Sequence, residues 1–210
     1  MKTMSKLGLA CLLAALMALG AMGRNTAPAV LKAHADVVGA PGSGISGTVV
    51  FLQFNTSDIL PTVQIIASIE GLTPGKHGFH IHANGSCADT PATTTAPAVP
   101  FGGAGGHFDP DGFPGSTTPP VPPVLGNTNP DSNHPFHMGD VQQLNADSQG
   151  RAILIHSSSR ITLSAGPLSI LDANGSAVIV HANPDQGISG APGSGVSGGP
   201  RIACGIVVRD

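Results

Sequence analysis

Nine histidines stand at positions 34, 77, 80, 82, 107, 134, 137, 156 and 181. Three of them crowd into "KHGFHIHANGSC" (76–87). Neutral imidazole is a good ligand for copper and for zinc. His80 and His82 are two residues apart, so an extended chain points both to one face and sends Phe79 and Ile81 to the other, towards a core. Two donors on one strand face can hold a metal rigidly. His107, His137 and His181 also fall on expected loops or strand ends. Asp140, three residues after His137, adds a carboxylate, a harder donor suited to zinc. Taken singly, each histidine could be an ordinary polar residue or part of a stray metal-affinity tract. Taken together their spacing points to a metal site without naming the metal.

The elements that would carry these donors read as strands. "AHADVVG" (33–39), "ISGTVVFLQF" (45–54) and "PTVQIIASIEGL" (61–72) have strand composition, and Val63, Ile65, Ala67 and Ile69 alternate on one face of the third. "GAPGSG" is a turn between the first two, so three consecutive antiparallel strands are expected. The histidine stretch follows the turn "GLTPG" and is itself strand-like. Pattern returns in "GRAILIHSSSRITL" (150–163), "SAVIVHANPD" (176–185) and "RIACGIVVR" (201–209), with a turn at "DANG" (172–175). Seven or eight short strands and no convincing helix predict an all-β sandwich or barrel. Residues 88–136 hold most of the prolines and little regular pattern. A linker would fit that composition, but His107 and "HPFHMGD" (134–140) argue for a functional loop. "GAPGSGISG" (39–47) and "GAPGSGVSG" (190–198) form a near repeat, read as reused turn chemistry.

The N-terminus has Lys2 and Lys6 before "LGLACLLAALMALGAMG", the layout of a secretory signal peptide over residues 1–23. The alternative, a membrane anchor, is disfavoured because the run is short for a span and no stop-transfer flank follows. Residues 24–32 then read as a flexible leader and 33–210 as one domain. Without residues 1–23 the chain keeps two cysteines, Cys87 and Cys204, and two cysteines in an exported protein read as one disulfide. The 9 Lys and Arg lose Lys2 and Lys6, so 7 face 12 Asp and Glu, a net charge of −5. That mildly acidic balance argues against nucleic acid as a partner. The absence of Trp and Tyr removes the usual stacking platforms. An exported, periplasmic or extracellular protein with no membrane segment in its mature form is expected.

"GFHIH", "GGHFDP", "HMGD", "VIVHANPD" and "GPRIACGI" occur in this order. As a set they resemble the secreted copper/zinc superoxide dismutases over about residues 33–209, which implies an all-β fold, a Greek-key β-sandwich or flattened barrel of about eight antiparallel strands with long metal-binding and channel loops. The resemblance implies copper held by His80, His82, His107 and His181, with His107 bridging to zinc. It implies zinc at His107, His137 and Asp140, and Cys87 and Cys204 as the disulfide that ties the loop after His82 to the last strand. Arg201 would attract and orient the substrate, superoxide anion, and Asp185 would hydrogen-bond the metal ligands. His77 matches a packing position near the copper loop, while His34 and His156 match no ligand position.

The sequence departs from the family pattern in two places. The family's third zinc histidine lies eight or nine residues after the bridging one, where this chain reads "GFPGSTT". His134 is the nearby substitute; the alternatives are a three-ligand zinc site or a copper-only enzyme. The segment "QGISGAPGSGVSGGP", between Asp185 and Arg201, carries no charge, where the family often has Glu and Lys. A copper-delivery module is the competing reading, answered by the presence of Arg201 and of every copper ligand. Whether two copies pair as a homodimer is not fixed by the sequence.

Overall fold

The computed structural model describes residues 30–54, 61–110, 137–187 and 195–210. Ten strands are present among them: β1 (Val30–Gly39), β2 (Ser46–Phe54), β3 (Thr62–Glu70), β4 (Gly75–His77), β5 (Phe79–His82), β6 (Leu144–Ala146), β7 (Ala152–Ser158), β8 (Ala177–His181), β9 (Arg201–Ile206) and β10 (Val208–Arg209). Seven form one antiparallel path in the order β5-β8-β9-β1-β2-β3-β7, with β10 added on β1 and β4 paired with β6 as a separate ribbon. The expected meander β1-β2-β3 is in place, with Val49 opposite Ala67 and Phe51 opposite Ile65.

The sheet curls into a half-barrel because one face is apolar along its whole path. Val63, Ile65, Ala67 and Ile69 of β3 are buried, as their alternation demands, and share one core with Phe79 and Ile81 from the far end of the sheet. Residues at opposite ends of a flat sheet could not touch; curling brings them together. Phe51, Phe79, Ile65 and Ile81 are fully buried, and each such side chain contributes about 1.5–3 kcal/mol. Gln53 is one of the polar side chains buried among the described residues. Its Oε1 accepts from the Leu163 and Ser164 amides at 2.6 and 3.2 Å, which fastens the loop after β7 across the barrel end.

The structure differs from the sequence reading at the margins of the elements. β1 begins at Val30, because Val30 and Leu31 pair with Phe54 and Gln53. The run "RIACGIVVR" splits at Val207, whose buried side chain separates β9 from β10. β6 was not foreseen, since three residues flanked by Gln143 and Asp147 carry no usable period. Residues 88–101, read from composition as irregular, contain an exposed hairpin in which Thr90 and Val99 exchange both backbone hydrogen bonds at 2.9 Å. A single 3-10 turn, Gly102–Ala104, is the helical element among the described residues; no helix there is long and apolar enough to cross a membrane. The proposed signal peptide, His134 and most of the second "GAPGSG" copy lie outside the described residues.

Candidate metal centre

β5 has two buried faces, and they differ in kind. Phe79 and Ile81 enter the apolar core, while His80 and His82 are buried on the opposite side, 0% and 1% exposed. A loop layer covers that side. The amide of Ile81 donates to the Gly139 carbonyl (2.9 Å), the amide of Phe108 to the Ile81 carbonyl (2.8 Å), and the amide of Gly139 to the Phe108 carbonyl (2.7 Å). Two remote loops thus lie against one strand, bringing His107 beside His82 and Asp140 beside His80. Gly139 is required for this approach, since a Cβ there would meet the Ile81 carbonyl oxygen at 2.2 Å.

β8 supplies the next donor. Ile179 pairs with Cys204 and Val180 with Ala203, then the register slips so that His181 lies opposite Arg201. A bulge of this kind re-aims side chains. His181 is 5% exposed, and its ring centroid lies 5.1 Å from that of His80. His80, His82, His107 and His181 form one group and His107, His137 and Asp140 a second; within each, the ligand atoms lie within 4.8 Å of one another. His107 belongs to both. Asp140 accepts from His107 Nδ1 at 2.7 Å and lies 3.4 Å from His137 Nδ1.

Hydrogen bonds fix which nitrogen of each ring is bare. His82 Nδ1–H donates to the Gly105 carbonyl at 3.0 Å and His181 Nδ1–H to the Gly199 carbonyl at 2.9 Å. His80 Nε2–H donates to Asp185 Oδ2 at 2.7 Å. A carbonyl or carboxylate only accepts, so the lone pairs fall on His82 Nε2, His181 Nε2 and His80 Nδ1. His82 Nε2 and His181 Nε2 are buried without a hydrogen-bond partner. Orphaned lone pairs on buried rings are costly unless something accepts them. A copper ion fits that need, because it takes neutral imidazole donors.

Electrostatics separate the two groups. Burial, with His107 adding to it, pushes His80 down to about 3. Burial likewise lowers His181 to about 4 and pushes His82 well below the ordinary histidine value. These rings are neutral at neutral pH. His137 behaves oppositely: burial pulls it down, but the hydrogen bond and charge of Asp140 outweigh that and its pKa is raised. Burial alone would raise Asp140, yet hydrogen bonds from His107 and His137 hold it well below the usual carboxylate range. A carboxylate beside two imidazoles suits zinc, so the residues present fit that ion too.

The remaining expected residues surround the donors. Cys87 and Cys204 are disulfide-bonded, with Cα atoms 5.7 Å apart. Arg201 Nη1 donates to the Phe101 carbonyl at 2.8 Å and Nη2 to the Gly105 carbonyl at 2.7 Å. Asp185 also accepts from the Gly187 amide at 2.7 Å. His77 is buried with Nδ1 2.8 Å from the His181 carbonyl and Nε2 2.8 Å from the Thr73 carbonyl, a scaffolding position. His34 lies away from the site, against Asp210. Sequence reasoning missed Gln143, whose amide bonds both the carbonyl (2.9 Å) and the N–H (3.0 Å) of Asp185. It also missed the carbonyls of Gly105 and Gly199. Backbone acceptors leave no residue-type signal, and "VQQL" reads as a plain polar turn.

The model of the copper/zinc superoxide dismutase (SODC) family matches residues 45–207. Among similar proteins, the superoxide dismutase [Cu-Zn] of Photobacterium leiognathi is 36% identical over 65% of this chain and 66% of its own length. That of Brucella abortus is 30% identical over 91% of this chain and 93% of its own. A copper chaperone for superoxide dismutase from Homo sapiens is 32% identical over 85% of this chain, which spans 54% of that longer protein. The solved Cu/Zn superoxide dismutase from Brucella abortus superposes with a TM-score of 0.57 at 27% identity, covering 83% of this chain and 98% of that one. With two histidine-rich groups sharing one imidazole on a curled antiparallel sheet, and a family match over more than half its length, the chain belongs to the copper/zinc superoxide dismutase family.

Proposed function

We propose that the chain catalyses dismutation of superoxide: two superoxide anions and two protons become one dioxygen and one hydrogen peroxide. The observation that carries this reading is His107, the one ring common to both donor groups. His80, His82, His107 and His181 would hold copper. His107, His137 and Asp140 would hold zinc, with His134 as the sequence candidate for a fourth donor. When bound, copper supplies one-electron redox chemistry, while zinc is redox-inert and fixes the shared imidazole.

The residues of the chain do the rest. Arg201 presents a permanent positive charge that attracts and orients the anion. Its two carbonyl contacts hold the guanidinium at the edge of the copper ligand group. His107 keeps Nδ1 towards Asp140, which leaves Nε2 to take up a proton and pass it to the departing peroxide, the second proton coming from water. Asp185 holds the His80 ring through Nε2, the kind of outer partner that fixes ligand orientation.

Export to the periplasm or beyond accompanies this reading. It is supported by the signal-like residues 1–23 and by the disulfide, which persists in oxidising compartments. The similarity to a copper chaperone favours a second reading, copper delivery. The test is superoxide dismutation by the purified mature protein after copper and zinc are restored. Full metal loading with no turnover would overturn the dismutase reading in favour of delivery.

A further inference from the structure

Among the described residues, Phe101 is the sole non-glycine with positive φ, at φ 53° and ψ 26°. Side chains other than Gly, Asn and Asp rarely adopt that left-handed conformation, and such outliers persist only where the surroundings hold them. Phe101 is held on both sides of its backbone. Its amide donates to Asp89 Oδ1 at 2.9 Å. Its carbonyl accepts from Arg201 Nη1 at 2.8 Å and from the Ala104 amide at 3.2 Å. Its side chain packs, with Cys87, against the small buried cluster formed by Ala104, Ala177, Ile179 and Cys204. Below it, Thr90 sits so close to Gly102 that a Cβ there would meet Thr90 Oγ1 at 2.1 Å, which seats the hairpin against the turn.

We propose that Asp89 is a positioning residue for Arg201, acting through the strained peptide of Phe101. The Asp89 carboxylate anchors the N–H of a residue that would otherwise relax out of the left-handed region. Relaxation would swing the Phe101 carbonyl away from the guanidinium and leave Arg201 with Gly105 alone. The hairpin of residues 88–101 thereby becomes part of the anion site without supplying a member of either ligand group.

Two roles for Asp89 predict opposite signs. A carboxylate near the anion site repels superoxide, so an electrostatic role alone predicts that Asp89→Ala and Asp89→Asn both speed turnover and tighten anion binding. Positioning needs only an acceptor oxygen, which asparagine retains. Asp89→Asn should then match the wild type, and Asp89→Ala should lower kcat/KM about tenfold.

The proposal rests on the dismutase reading, so the test pairs turnover with a measurement independent of it. Azide, a small anion, is titrated into the copper- and zinc-loaded wild type and both variants, and its binding is followed by the visible absorption of the copper. Weaker azide binding in Asp89→Ala but not in Asp89→Asn, at equal copper content, is the expected result. Equal behaviour of the two variants, or a loss of rate in proportion to lost copper, would overturn it. If the wild type binds azide but does not dismutate superoxide, the function fails while the azide comparison still decides the role of Asp89.

Discussion

The two halves of the metal centre are built on different principles. The proposed copper half takes His80 and His82 from β5 and His181 from β8, buried rings whose tautomers are set by fixed acceptors. The proposed zinc half takes His137 and Asp140 from a loop, three residues apart, and relies on a charge contact. Strand-borne donors are preorganised by the core beneath them, whereas loop-borne donors need an ion or a partner to define them. His107, also on a loop, is stitched to both.

The largest break in this comparison is His107→Ala. Copper should remain, with three ligands on strands. Zinc should be lost, because His137 and Asp140 are then the described donors left. Turnover should fall by more than about a hundredfold, and metal analysis of the purified variant should show copper without zinc. Zinc retained at the wild-type level would show that the loop half stands independently.

Acid sharpens the same contrast. The raised pKa of His137 means that protons compete with zinc at or above the ordinary histidine value near 6.5. Protons reach His181 only near 4 and His80 near 3. Zinc should therefore leave before copper as pH falls, which dialysis at stepped pH followed by metal analysis will show. The metal-free fold follows from the same values. His80 and His181 have depressed folded pKa values, so the unfolded chain binds more protons below 6.5. Stability then drains away as pH drops from about 6.5 towards 3. His137 opposes this modestly, since its raised value favours the folded state at low pH. The melting temperature of the metal-free protein should decline from pH 7 to pH 4.

The smallest expected effect is that of salt. Between Asp185 and Arg201 the chain carries no charge, so long-range attraction falls mainly to Arg201 and the bound metal. The rate should vary only weakly as ionic strength goes from 0.01 to 0.15 M, a range over which the screening length falls from about 30 to about 8 Å. A steep decline would mean that charges elsewhere steer the anion.

The placement of His80 and His82 was legible because strand period is a strong signal: with both on one face, Phe79 and Ile81 fall on the other. The resemblance supplied what spacing could not, namely that His107 and His181, far apart in sequence, join them. The supports were not legible. Gln143 sits in a polar stretch with no period, and its role depends on Asp185 arriving from the other side of the fold. The hairpin within residues 88–101 reads from sequence only as part of a long irregular loop, because its order comes from two backbone hydrogen bonds and a seat on Gly102, not from side-chain pattern. His134, the sequence candidate for a fourth zinc donor, falls outside the described residues.

The Gly105 carbonyl accepts both from His82 Nδ1 and from Arg201 Nη2. Under the proposed roles of His82 and Arg201, redox tuning and anion capture therefore share a single acceptor atom. A change that moves this oxygen would alter the hydrogen bond of a proposed copper ligand and the aim of the guanidinium in the same stroke. The guanidinium has a second acceptor, the Phe101 carbonyl at the end of the hairpin, and a change there would re-aim it without touching His82.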